Sequence, residues 1–151
     1  MTKEQLITAY NYWGHTLRLH AWDIHVTVVD SVPQEVQDDG HAPEDDVTGS
    51  SLHDRAEHGE HVVWGWNVTI ESVRTSHVYI LWQGHDDHPG GWEHTLLHEL
   101  LHCTMWGLNC FPQVEFAIDH VAKCMLPLRR PAAIEPVMPP YWTYDLSLLP
   151  D

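Results

Sequence analysis

Basic side chains are scarce in this sequence: 7 Lys and Arg stand against 22 Asp and Glu, for a formal charge of −15 at neutral pH. A surface of that sign repels phosphate backbones and anionic lipid, which argues against nucleic acid or membrane as a partner. Long apolar runs are missing too. No stretch approaches ~18 consecutive apolar residues, and the start, Met1-Thr2-Lys3-Glu4-Gln5, has no basic segment followed by an apolar one. The expectation is a soluble, cytoplasmic protein without a secretory signal. Cysteine is sparse. Cys103, Cys110 and Cys124 are odd in number and form no C-x-x-C pair, which suits small buried hydrophobes in a reducing compartment.

Histidine, by contrast, is abundant: 14 residues whose partial protonation would soften the net charge below about pH 6.5. With 151 residues and 43% hydrophobic content, the chain can bury the core of one domain without staples. We expect that domain over residues 1–130, with an acidic insertion at about 31–60 and a Pro-rich extended segment, 131–151, packed on it.

Leu6, Ala9, Tyr10, Trp13 and Leu17 recur at helical spacing behind Thr2 and Gln5, which predicts a first helix over about 2–20. Trp22 to Asp30 alternates and is rich in β-branched residues, predicting a strand with Trp22, Ile24, Val26 and Val28 on one side and His25 solvated on the other. Pro33, Gly40, Pro43, Gly49 and Gly59 punctuate the acidic stretch that follows, a loop without the spacing of a calcium-binding hand; a short helix at 52–58 is the one element expected there. Strands return at 61–70, where Val62, Trp64, Trp66, Val68 and Ile70 alternate with polar or small residues, and at 76–82. His85, Asp86, Asp87 and His88 lie in the next loop, where adjacent side chains rarely converge on an ion.

The chemistry is concentrated in Trp92-Glu93-His94-Thr95-Leu96-Leu97-His98-Glu99-Leu100-Leu101-His102. His98-Glu99-x-x-His102 puts two imidazoles on one face of a helix, a turn apart, where both reach one ion. Glu99 stands beside them as a base for a water that the metal acidifies. Leu96, Leu97, Leu100, Leu101 and Cys103 make the other faces apolar, so the helix is expected to be buried almost all round with a polar stripe on a cavity. His94 shares the stripe, but ~12 Å of helix rise separates it from His102, so one ion cannot hold both and His94 is expected at the rim.

A catalytic zinc needs three protein ligands and an open position. Gly107 to Pro112 breaks the motif helix, and Pro112 can open a second one with Val114, Ala117, Ile118, Val121, Cys124 and Met125 as its buried stripe. Two helices joined by a short loop run antiparallel, which brings Glu115 level with His102 as the third metal ligand and Asp119 nearer His98, placed to orient an imidazole. His120 is the rival ligand, pointing toward solvent; an ordinary first-turn acid is the plain alternative for Glu115. Beyond Pro127 the proline density excludes helix, and Tyr141 or Tyr144 could reach the cleft.

These residues, Thr95 to His102 followed by a helix carrying Glu115 and Asp119, resemble the zincin metallopeptidases, most of all the small single-domain ones of phage and bacterial genomes related to the SprT-like and gluzincin groups. The resemblance implies an α+β, minimal zincin-like fold with an N-terminal helix and a small, mostly antiparallel sheet. It also implies one Zn²⁺ held by His98, His102 and Glu115, with Glu99 as general base and then acid. The strand at 76–82 would be the edge that holds an extended peptide or protein substrate. Met105 stands where metzincins carry glycine, which points away from that group. The competing function is a non-catalytic, zinc-stabilised binding or virion-associated structural protein; oligomeric state is not legible.

Overall fold

A computed structural model describes residues 1–31, 64–82, 91–108, 113–130 and 136–151. The short helix expected at 52–58, nearly all of the acidic insertion, the loop with His85 and His88, and Cys110 lie outside the described residues. The fold is α+β: three α-helices and a four-stranded sheet among those residues. In chain order they are α1 (Lys3–Thr16), β1 (Asp23–Val29), β2 (Gly65–Ile70), β3 (Thr75–Leu81), α2 (Gly91–Thr104), α3 (Gln113–Met125) and β4 (Trp142–Asp145).

The start of α1 is a capping box. Thr2 Oγ1 accepts from the Gln5 amide at 3.2 Å while Gln5 Oε1 accepts from the Thr2 amide at 2.9 Å, satisfying two otherwise orphaned donors. Leu6, Ala9, Tyr10 and Trp13 are buried, the stripe their spacing predicts. Trp22, Ile24, Val26 and Val28 line one face of the sheet's centre, as their alternation requires. His25, on the other face, is half-buried rather than solvated, with Nδ1 2.7 Å from Thr143 Oγ1 and the His77 ring beside it.

The strand order is β2-β3-β1-β4, and the sheet is mixed rather than mostly antiparallel. β1 runs parallel to both β3 and β4, and only β2–β3 is antiparallel. Connection length explains this: β2 and β3 are joined by one 3₁₀ turn and Arg74 in the left-handed region (φ 51°), whereas β1 meets its neighbours after long excursions of chain. It follows that β3 (residues 75–81) is interior, so the strand expected to be the free edge is not one. Among the described strands β2 is the edge instead, with β4 at the other side.

β2 also shows its apolar series on an unexpected face. Val68 and Ile70 are about half exposed, and Trp66 stacks on Tyr79 with centroids 4.7 Å apart, while Gly65 and Asn67 face the helices and are buried. Alternation reveals two faces but not which one meets the core. Gly65 decides it: a Cβ there would lie 2.5 Å from Thr95 Cγ2 and 2.9 Å from the Tyr79 carbonyl, so α2 can approach the sheet only over a residue without a side chain.

The core lies between the sheet and α1 and α2, where Ile24, Val26, Val78 and Ile80 meet Leu6, Tyr10, Trp13, Leu96, Leu97 and Leu100. The chain's last residues do more than lie over it. Trp142 of β4 stacks on Tyr10, fills the space over Gly14, and donates through Nε1 to the Trp22 carbonyl at 3.1 Å. Leu146 and Leu149 are buried beyond it. No proline falls between Pro140 and Pro150, which leaves 142–145 free to pair with β1.

Candidate metal centre

Every residue from His94 to Cys103 is buried, as a helix apolar on most of its faces and packed between sheet and neighbouring helices should be. α2 ends at Thr104, a 3₁₀ turn follows at Trp106–Leu108, and α3 begins at Gln113. Contacts then run in reverse order, His94 to Asp119 and His98 and His102 to Glu115, so the two helices are antiparallel. Glu115, in the first turn of α3, meets the last turns of α2.

The resulting triangle is compact. His98 Nε2 and His102 Nε2 are 3.1 Å apart; Glu115 Oε2 is 3.3 Å from the first and Oε1 is 3.4 Å from the second. Ligands about 2.0–2.1 Å from a tetrahedral zinc are themselves about 3.3–3.4 Å apart, so the three donors stand at the spacing one ion would impose. They form the one group of three or more potential metal ligands among the described residues.

The electrostatics fit a cation as well. Burial alone would raise the Glu115 carboxyl, but contact with His102 and His98 outweighs it and holds the pKa at about 2. Glu115 is therefore an anion at neutral pH. Its Oε2 is buried and accepts no hydrogen bond, although His98 is near. Two Nε2 atoms face each other at 3.1 Å, and only one proton fits between them. A metal ion would take one lone pair from each imidazole and one from the orphaned carboxylate, satisfying all three at once.

Glu99 is fully buried on the adjoining face of α2, with Cγ against Gly65 of the edge strand. Its backbone is pinned there by a residue that sequence reasoning passed over. Asn67 Nδ2 donates to the Glu99 carbonyl at 3.1 Å and to Ser76 Oγ at 2.8 Å, and lies 3.7 Å from Cys103 Sγ; Thr69 Oγ1 donates to Asn67 Oδ1. An amide with both donor hydrogens used and its oxygen bonded joins β2, β3 and α2 at the turn that carries the motif. The signal that could have found it is Gly65 two residues earlier, since a glycine inside a strand marks a close backbone approach.

Other expectations need correction. Asp119 is placed against His94, with Oδ1 3.2 Å from His94 Nε2 and Oδ2 receiving Lys123 Nζ at 2.6 Å. One turn of α3 carries Asp119 past His98 to the next rung. His94 is buried, not at a rim, because α3 covers it. Tyr141 and Tyr144 belong to the β4 side of the sheet, far from edge strand β2, and the Tyr141 hydroxyl donates to the His20 carbonyl. On α3 the buried residues are Val114, Ile118 and Ala122, while Ala117 and Cys124 face outward. Turning Glu115 toward α2 rotates the buried arc away from them. His120 is exposed, as its angle around the helix implies. Cys103 is the buried hydrophobe expected of it, its thiol pushed up to about 11 by burial.

Comparison with known proteins finds no family model, no curated protein and no solved structure that matches this chain. The His98–His102–Glu115 group is compatible with a zincin, and it could hold a metal ion. No helix among the described residues is long and apolar enough to cross a membrane.

Proposed function

We propose that this chain is a zinc-dependent endopeptidase whose metal is held by His98, His102 and Glu115 and whose general base is Glu99. The observation that carries the reading is the spacing of the three donors, 3.1 to 3.4 Å, beside a buried carboxylate that is not one of them. Bound zinc would supply a Lewis acid for the scissile carbonyl and lower the pKa of water from about 15.7 to near 7.

Within that reading Glu99 takes the proton of the attacking water and later hands it to the departing amine. Asn67 keeps the helix turn bearing Glu99 in register with β2. An extended peptide would add to β2, the antiparallel edge strand nearest Glu99, in place of the interior strand expected from sequence. A substrate so held lies alongside the base.

The structural alternative differs in ligand number. Structural zinc sites close with four protein ligands, and three donors meet here among the described residues. The deciding experiment is digestion of casein and a peptide library by the zinc-loaded protein, with and without chelator, beside Glu99→Gln. We expect cleavage that chelator abolishes, and a variant that keeps zinc and stability but loses cleavage by at least about 10²-fold. Zinc binding without cleavage in the unaltered chain would leave the structural role.

A further inference from the structure

The outward face of α3 carries a second set of metal-binding chemistry that the proposed catalytic centre does not use. His120 and Cys124 stand four residues apart, both exposed, with His120 Nε2 3.8 Å from Cys124 Sγ. Donors about 2.0 Å (nitrogen) and 2.3 Å (sulfur) from a tetrahedral zinc lie about 3.6 Å from each other, so the pair needs little adjustment to share an ion. The three residues between His120 and Cys124 fall within the three-to-five spacing at which one helix holds two zinc ligands. Among the described residues no third donor joins it. The site is half built within one chain.

A two-fold axis completes it. We propose that two copies of this chain pack α3 against α3, antiparallel, and hold one zinc ion between them through His120 and Cys124 of each. The surrounding surface is self-complementary about that point. Phe116, 82% exposed, lies near the start of α3, and Leu128, 64% exposed, lies in the 3₁₀ turn just past its end, so the axis that sets each His120 beside the other Cys124 also turns the Phe116 end of one copy toward the Leu128 end of the other. Ala117 and Gln113 are exposed on the same arc and leave room for close approach. Lys123, the charged residue beside the pair, is neutralised by Asp119 at 2.6 Å. One helix face of 13 residues is far smaller than a self-sufficient interface of about 1,200 Å², so on a chain of charge −15 the metal supplies the attraction that holds the copies together. Each thiol releases its proton to solvent as the thiolate binds, which makes assembly pH-dependent.

The test is native mass spectrometry and sedimentation of the full chain, with zinc content measured and a reductant present throughout. We expect a dimer with about 1.5 zinc per chain, reduced by chelator to monomer. Cys124→Ser and His120→Ala, both at exposed positions, give a folded monomer with about 1.0 zinc per chain. His98→Ala/His102→Ala keeps the dimer with about 0.5, which separates this site from the proposed peptidase centre. Cobalt in place of zinc develops a thiolate charge-transfer band that Cys124→Ser removes. A zinc-loaded monomer of the unaltered chain, or a dimer unmoved by Cys124→Ser, would overturn the proposal.

Discussion

Gly65→Ala tests how the motif helix is seated. The added Cβ would meet Thr95 Cγ2 at 2.5 Å and the Tyr79 carbonyl oxygen at 2.9 Å, and would be in ordinary contact with Glu99 Cγ at 3.5 Å. The first clash is with a side-chain methyl that can be removed; the second is with β3 backbone, held on both sides by neighbouring strands. α2 and β2 must therefore part by several tenths of an ångström, and overpacking of this kind costs about 1–3 kcal/mol. At about 2–4 °C per kcal/mol for a chain of this size, the melting temperature should fall by about 2–12 °C. Thr95→Ser deletes Cγ2 and keeps the hydroxyl. Alone it should cost about 1 kcal/mol, as loss of a buried methyl group does. In the Gly65→Ala background it should instead recover part of the loss, and the double-mutant cycle should show favourable coupling of at least about 0.5 kcal/mol. Thermal melts followed by circular dichroism give all four corners, and on the proposed peptidase reading the same samples should lose proteolysis as Glu99 shifts. A Gly65→Ala protein within about 0.5 kcal/mol of the original, or additive substitutions, would mean that α2 does not rest on Gly65.

Zinc at 100-fold its dissociation constant should stabilise the chain by about 2.7 kcal/mol, an increase of roughly 5–11 °C that chelator reverses and that Glu115→Gln largely removes. Failure of Glu115→Gln to weaken zinc binding would remove Glu115 from the site. Asn67→Leu should cost about 1–3 kcal/mol in a denaturant melt, since Ser76 and Thr69 lose a buried partner; a cost no larger than that of an exposed substitution would show the network to be idle. In metal-free protein the Glu115 carboxyl is held at about 2, below its usual 4.5. Its stabilising contribution is complete above about pH 4.5 and is lost as pH falls toward 2, so the stability gap between the chain and Glu115→Gln should close across that window. A gap that stays constant there would contradict it.

What could be read from sequence divides along a physical line. Helical and strand periods were legible because they depend on local spacing: the cap at Thr2, the burial of Leu6 to Trp13, and the run from His94 to Cys103 all follow from residues within a turn or two of each other. The meeting of Glu115 with His98 and His102 was legible for the same reason, since a short connection leaves two helices little choice but to run antiparallel. Sheet order was not. Whether β3 is an edge depends on where the distant strands β2 and β1 pair, and no local pattern records that. Rotation of α3 was half legible: the apolar residues marked an arc, but the attraction of Glu115 and Asp119 for α2 turned the helix and left Cys124 outside. Asn67 was missed because a polar residue in an alternating strand reads as solvent-facing until a helix is known to cover it.

The α2–α3 interface also shows how one pattern yields two different outcomes. Histidines at 94, 98 and 102 on one helix meet acids at 115 and 119 on the other, so the interface is a ladder of imidazole and carboxylate. On the upper rung Asp119 faces a single imidazole, and its second oxygen is taken by Lys123 at 2.6 Å. The chain provides that rung with its own cation. On the lower rung Glu115 faces two imidazoles whose Nε2 atoms point at each other, and no Lys or Arg of the described residues is paired with it. Its negative charge and the Nε2 atoms of two rings converge on one point, which a lysine placed four residues on, as Lys123 is for Asp119, would have filled. The residue four after Glu115 is Asp119 itself. The difference between a salt bridge and a metal site here comes down to whether the helix supplies the positive charge or leaves it to be taken from solution.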